Sequence, residues 1–327
     1  MSFSYEGLFS ERVQSSRPPL SPEPIELFFS YAHEDRAFRT QLGKHLMPLV
    51  RAGFVTQWYD GDIQAGTEWA EEVYAHLNTA DIILLLISPD FMNSDFCYHV
   101  EMTRALERHT LEEALVIPIL LRPTYWKDTL PDKLQVLPRG EKPVSTWRNR
   151  DQAFLGIAKD IFAQITLLLS QRWLEQVNTF YDTQQYNHAL QASEKAIRFN
   201  PKNVSAYLSR GALYWQLKRY EDALDTYERV IELDADNIIA HMSKCYALWV
   251  LGRYQIALQS CERAILLHPE NTILYLLKGQ LHELLRDQAY QKARQLGGAK
   301  AEYLDQKYLI MQPKDAFAFS AEDEANI

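Results

Sequence analysis

The chain of 327 residues predicts a doubly wound α/β sheet followed by an all-α solenoid. Three observations carry that prediction. Between Ile25 and Trp147, short apolar runs alternate with amphipathic stretches, the pattern of parallel strands covered by helices on both faces. From Ser170 onward a 34-residue period takes over. Trp173, Val177, Ala189, Ala196 and Pro201 recur as Tyr207, Gly211, Ala223, Val230 and Ala235, then as His241, Cys245, Ala257, Ala264 and Pro269. Such a period means stacked helical hairpins, each too small to bury its apolar face alone. Finally, no Pro or Gly occurs between Ile157 and Pro201, so the last helix of the sheet domain either runs into the first repeat or breaks near Ser170.

The elements come in this order. Residues 1–24 are polar and end in a proline-rich stretch, Arg17 to Pro24, which reads as a flexible lead-in. Ile25–Tyr31 is a first strand, and about Glu34 to Arg51 a helix that Pro48 ends or kinks. Phe54–Tyr59 reads as a strand, Thr67–Thr79 as a helix, and Ile82–Ser88 as a buried strand. A helix near Asp95–Arg108, with Ser94 as N-cap, precedes strands at Leu115–Leu121 and Pro143–Trp147; a last helix starts near Arg150. Five parallel strands in about 140 residues fit the flavodoxin-like order 2-1-3-4-5. The expected domains are therefore 25–169 and 170–313, with an acidic tail at 314–327. Repeats at 170–203, 204–237 and 238–271 are regular. A degenerate fourth, 272–313, opens with Leu274, Tyr275 and Gly279 but closes only at Pro313, so its second helix should be longer or interrupted near Gly297-Gly298.

Composition narrows the function. A net charge of −9 argues against nucleic acid, which needs clustered Lys and Arg. Cys97, Cys245 and Cys261 are odd in number and far apart, which disfavours a disulfide framework or a zinc site. The longest apolar runs, Ile82–Ile87 and Ile165–Leu169, are too short to span a bilayer, and no signal-peptide layout opens the chain. A cytoplasmic protein acting on neither membrane nor nucleic acid is expected. HExxH, GxSxG, GxGxxG and Walker sequences are all missing.

In an open parallel sheet a site forms at the carboxyl ends of the strands, where the strand order reverses. Here that crevice lies between the first and third strands. Ser30 to Asp35 and Ser88 to Glu101 leave those ends, and the loop Asp60 to Gly66 overhangs the same edge. The placement points at Glu101.

These segments carry a resemblance. Phe28-Phe29-Ser30-Tyr31 followed by Asp35 looks like the first box of Toll/interleukin-1 receptor (TIR) domains. Trp58-Tyr59-Asp60, then Ile63, Gly66 and Trp69, resembles the second strand and long loop of that family. Ser88-Pro89-Asp90-Phe91, Ser94, Cys97 and Glu101 resemble its third box, and Trp147 the aromatic of its last strand. The resemblance covers roughly residues 24–166. The 34-residue period likewise resembles tetratricopeptide repeats (TPR).

The resemblance implies one of two functions. Some TIR domains cleave the nicotinamide–ribose bond of NAD+, through a third-box glutamate at the position of Glu101; others only form homotypic adaptor contacts. In the first case NAD+ is a substrate rather than a bound cofactor, no metal is called for, and ADP-ribose or a cyclic derivative is the product. The residues implied around NAD+ are Ser30, Tyr31, Ala32, His33, Asp60, Gly66, Phe96 and Cys97. Phe96 stands where the family often has Trp, and Ala32 and His33 where some NAD-cleaving relatives carry basic residues. Activity would depend on self-association through the TIR domain, and prokaryotic relatives commonly serve in defence against phage. The alternative readings are structural: Glu101 as a surface carboxylate near a helix start, Phe96 as a core residue, Cys97 as a packed thiol and Gly66 as a turn. The repeat array would receive a protein or peptide partner in its groove, with Asn178, Arg210, Tyr214, Lys244 and Lys278 as candidate contacts, or would stack between protomers.

Overall fold

The computed structural model describes residues 22–59, 69–131 and 134–297. Four parallel strands, β1 (Ile25–Tyr31), β2 (Val55–Trp58), β3 (Ile82–Ile87) and β4 (Leu115–Leu120), form one sheet in the order β2-β1-β3-β4. Their registers pair Phe28 with Trp58, Phe29 with Leu84 and Leu84 with Ile117. All six residues of β3 are buried, as a central strand with helices on both faces requires. On one face α1 (Arg36–Arg51) packs against β1, and on the other α2 (Trp69–Thr79) and α4 (Thr103–Thr110) cover β1 and β4.

A fifth strand at Pro143–Trp147 is not formed; a 3-10 turn, Val144–Thr146, occupies that stretch. The edge of β4 is instead met by Leu137, which bridges to Ile119 in parallel and exchanges hydrogen bonds with Pro118 and Leu120. Pro138 has no N–H to extend that ladder, and Pro143 lacks one at the next approach, where only Ser145 N reaches Leu121 O at 2.9 Å. The flavodoxin-like order therefore stands with four strands among the described residues.

Pro48 does not end α1, which continues to Arg51 because a proline removes only one intrahelical donor near a helix end. The helix expected at Asp95–Arg108 is two pieces, preceded by a short helix outside that range. Short α3 (Pro89–Asn93) is capped by Ser88 Oγ accepting from Phe91 N at 3.1 Å; a π-helical stretch, Phe96–Met102, comes next; α4 then runs to Thr110.

The chain divides into two compact units, residues up to Ser209 and residues from Arg210. In the first, α5 (Arg150–Asp182) is a single helix of 33 residues, so no break occurs at Ser170. Asn149 caps its start through Asp151 N and Gln152 N. By length and composition this helix is apolar enough to cross a membrane. Its apolar residues are nevertheless used inside the unit: Phe154, Ile157, Ile161, Ile165 and Leu169 pack with β1 and α1, and its second half lies along α6 (Tyr186–Phe199). Ser170 Oγ is buried and donates to Ala196 O at 2.8 Å.

The division falls within α7 (Val204–Gln216), and the second unit continues through α8 (Tyr220–Leu233), α9 (Ile238–Val250), α10 (Tyr254–Leu267) and α11 (Thr272–Gly297). The turn that would separate the two helices of the fourth repeat is not seen before Gly297, for α11 is one helix of 26 residues. Lys244 and Lys278 are not free groove cations. Each spans two neighbouring helices, to Glu228 at 2.8 Å and to Glu262 at 2.9 Å, two ion pairs one period apart.

Side-chain size is balanced inside each hairpin. One period relates Val177, Gly211 and Cys245 on the first helices and Ser193, Tyr227 and Cys261 on the second, and Gly211 meets Tyr227 as Cys245 meets Cys261. A methyl on Gly211 would lie 2.5 Å from Tyr227 Cε1 and 2.8 Å from Cζ, and Tyr227 is fully buried. Gly211→Ala is therefore expected to destabilise the protein by about 1–3 kcal/mol, while Gly211→Val with Tyr227→Ser, the pair used in the first hairpin, should recover part of the loss. An unchanged denaturation midpoint for Gly211→Ala would contradict the packing. In the third hairpin the hydrogen bond to Cys261, together with burial, pushes the Cys245 thiol up, which keeps it protonated and inert.

Each hairpin turn also needs a left-handed residue: Gln184 (φ 57), Lys218 (φ 58) and Gly252 (φ 72) occupy equivalent places. Only Gly252 adopts it without Cβ strain. Lys218→Gly is expected to stabilise by about 0.5–1 kcal/mol in urea denaturation, the relief of strain exceeding the added chain entropy.

Candidate active site

The order β2-β1-β3-β4 reverses direction between β1 and β3, and a cavity of about 360 Å³ opens there at the carboxyl ends of the strands. Tyr31, Ala32 and His33 form its first edge, Ser94, Phe96 and Cys97 its second, and Trp58 its side, with Glu101 on the wall. Glu101 is only 6% exposed, so it is not a solvated surface carboxylate. Ser30 Oγ, wholly buried in β1, donates to Glu101 Oε2 at 2.6 Å. Ser30 thus orients the carboxylate from beneath rather than lining the cavity.

The π-helical stretch explains how a carboxylate reaches this place. A π turn inserts one extra residue into the helix, rotating the residues after it, and such turns concentrate at functional sites. Here it turns Cys97 and Glu101 inward together, with Met102 beside them in the core. Cys97 is a packed thiol whose Sγ donates to Tyr31 O at 3.6 Å, and Cys97 N donates to Ser94 Oγ at 3.3 Å. Phe96 is half-buried, edge-on to Tyr74 with ring centroids 6.5 Å apart, so it belongs at once to the cavity wall and to the packing of α2. His33 is exposed at the rim. Asp60 and Gly66 lie outside the described residues.

Sequence reasoning named Trp58 only as a motif residue, and the structure makes it a wall. Its ring is stacked on Phe28 at 5.3 Å and on His76 at 4.4 Å, and His76 Nδ1 lies 2.7 Å from Glu26 Oε1. The aromatic face is therefore held rigidly.

A second missed feature is a polar latch beside the cavity. Asp35, fully buried, accepts from Arg122 Nε at 3.0 Å and from Ser88 Oγ; the same guanidinium pairs with Asp90. The Asp90 hydrogen bond is the chief cause that raises the Arg122 pKa; some desolvation opposes it, and Asp35 adds to it. The latch joins the loop after β1, the loop after β3 and the end of β4. Arg122 stands just past β4 with no motif around it, and only the fold brings it to Asp35 across 87 positions of sequence.

Chemically, the cavity is small, aromatic on one side and acidic. Glu34 and Glu101 line it with one histidine, and the third lining carboxylate, Asp90, is paired with Arg122; the two remaining carboxylates favour a cationic ring and developing positive charge.

Family profiles match both parts of the chain. The TIR-domain family profile matches residues 27–156, and tetratricopeptide-repeat profiles match 178–218, 204–237 and 245–303. A curated relative, the uncharacterized protein y4lF of Sinorhizobium fredii, is 47% identical over 135 residues, which is 41% of this chain and 42% of that protein. The chain thus spans under half the length of that relative. Among solved structures, the Arabidopsis OM64 TPR domain aligns with 24% identity and a TM-score of 0.34, covering 36% of this chain and 98% of that one. The second TPR domain of human RPAP3, solved in complex with an HSP70 peptide, aligns with 21% identity and a TM-score of 0.33, covering 37% and 98%.

Proposed function

We propose, from the premise that the chain carries a TIR domain followed by tetratricopeptide repeats, that its TIR domain is a signalling NAD+ glycohydrolase. The observation that supports this reading is Glu101: a buried carboxylate, fixed by Ser30, on the wall of an acidic and aromatic cavity at the sheet's switch point. The nicotinamide of NAD+ is a cationic ring that takes the electron pair of the breaking C–N bond and departs as a neutral molecule, so no acid is needed to protonate it. The reaction instead builds an oxocarbenium-like ribose, and one carboxylate near its hydroxyls or lower face lowers that barrier. Water then adds at the anomeric carbon and loses a proton, giving ADP-ribose; attack by the adenine instead gives a cyclic product. In this reading Trp58 and Phe96 flank the nicotinamide, and Tyr31 to His33 meet the ribose.

A cavity of about 360 Å³ has room for a nicotinamide riboside moiety but not for the whole of NAD+. That fits a pocket completed on self-association, with the repeat array receiving the protein or peptide partner that drives assembly in the cytoplasm. The test is nicotinamide release from NAD+ by concentrated or crowded protein beside Glu101→Ala. Release by the parent and not the variant supports the enzyme, and silence from both with assembly demonstrated favours the second reading. That second reading, a non-enzymatic TIR–TPR scaffold, is favoured by one observation: Glu101 already spends an oxygen on Ser30 and exposes little surface.

A further inference from the structure

A second cavity, of about 320 Å³, lies at the opposite edge of the sheet, where the chain enters β1 and β2 beside the α5–α6 hairpin. Phe54, just before β2, Trp173 of α5 and Phe199 of α6 wall it. Phe54 and Phe199 meet edge to face with centroids 5.4 Å apart, and Trp173 is buried. Two cations stand on the same α6 face: Lys195 Nζ, 4.1 Å from the Trp173 ring centroid, and Arg198. Neither forms an ion pair among the described residues, whereas Arg122, Arg139 and Arg172 of the same unit each do. Against the single carboxylate of Glu23 they leave the rim net positive.

The remaining wall is pinned. Arg172 Nη1 donates to Glu23 O at 2.6 Å and Pro24 O at 2.8 Å, while Nη2 pairs with Asp81 at the start of β3. The cavity therefore exists before any ligand arrives, which lowers the cost of binding.

The chemistry selects its occupant. An apolar molecule would leave the two exposed cations at the rim unused, and an inorganic anion would leave the aromatic walls uncovered. A planar ring bearing one anionic group satisfies both, stacking on the aromatics while the anion meets Lys195 and Arg198. We infer that this cavity is a binding site for a nucleoside monophosphate, the base among Phe54, Trp173 and Phe199 and the phosphate on the two cations. Such a ligand touches both the strand entries and the first helical hairpin, so binding stiffens that joint. The inference is independent of whether Glu101 cleaves anything.

The experiment is calorimetric titration of the full chain with AMP and GMP, repeated with adenosine and with ribose 5-phosphate. Saturable binding of one nucleotide per chain is expected, weakened about tenfold or more for the ligands lacking phosphate or base. Lys195→Glu/Arg198→Glu should weaken it at least about tenfold, and Lys195→Gln/Arg198→Gln serves if the charge reversal perturbs folding. Glu101→Gln should leave it unchanged. The inference is overturned by no saturable binding at millimolar nucleotide, by binding that both double variants retain, or by binding that Glu101→Gln abolishes, which would place the nucleotide in the other cavity.

Discussion

Glu101→Gln is expected to lower nicotinamide release by about 100- to 1,000-fold, the cost of removing one preorganised charge from a developing cation. The substitution isolates charge from packing. Glutamine has the same volume, and its amide oxygen can still accept from Ser30 Oγ, the donor now 2.6 Å from Oε2. Stability should therefore stay close to that of the parent, so lost turnover cannot be assigned to unfolding. Ser30→Ala asks a second question. It keeps the charge and frees the carboxylate to rotate, so kcat should fall about tenfold with KM little changed, because the loss is one of orientation. Parent-like turnover in an assembled Glu101→Gln protein would remove Glu101 from the chemistry altogether. A melting temperature that collapses in Glu101→Gln would point instead to a carboxylate held for structural reasons.

How far the sequence reaches is visible at that same residue. The periodicity of apolar runs places β1 and β3 within a residue at each end, and the switch-point rule puts Glu101 near the crevice from sequence alone. The π turn at Phe96–Met102 stayed hidden: Cys97, Glu101, Ala105 and Arg108 recur at spacings that an ordinary α-helix also allows. The fifth strand was misread for a different reason. Pro143 to Trp147 has strand-like composition, but strand formation depends on a neighbour's free ladder groups, and Leu137 takes up those of Pro118 and Leu120 on β4. The repeat array was legible because each hairpin repeats its own size balance. Its last helix was not, since no proline or glycine falls between Gly279 and Gly297 to mark a turn. Arg122 was invisible for the plainest reason: a contact closed only by the folded sheet leaves no trace in local spacing.

Arg122→Ala is expected to be the most destabilising single change in the latch, by about 3–5 kcal/mol, because it strands a buried carboxylate. Asp35 has no exposure, and without the guanidinium at 3.0 Å its remaining side-chain partner among the described residues is Ser88 Oγ. The reverse substitution should cost less. Asp35→Ala leaves Arg122 with Asp90 as a partner and about a third of its side chain in water, so roughly 2 kcal/mol is expected. The order of the two effects is the informative part: a latch held by Coulomb attraction alone would make them equal, whereas desolvation makes the loss of the cation worse. In a double-mutant cycle the pair should cost much less than the sum, since removing both leaves no buried charge. Chemical denaturation of the three variants reads all of this, at about 2–4 °C of melting temperature per kcal/mol in the thermal counterpart. Equal single effects, or additive ones, would mean that the three loops around the Glu101 cavity are joined by packing and not by this cluster. If the order holds, the Arg122→Ala protein should also lose turnover beyond its loss of stability, for Asp90 and the loop after β3 then shift while Glu101 keeps its bond to Ser30.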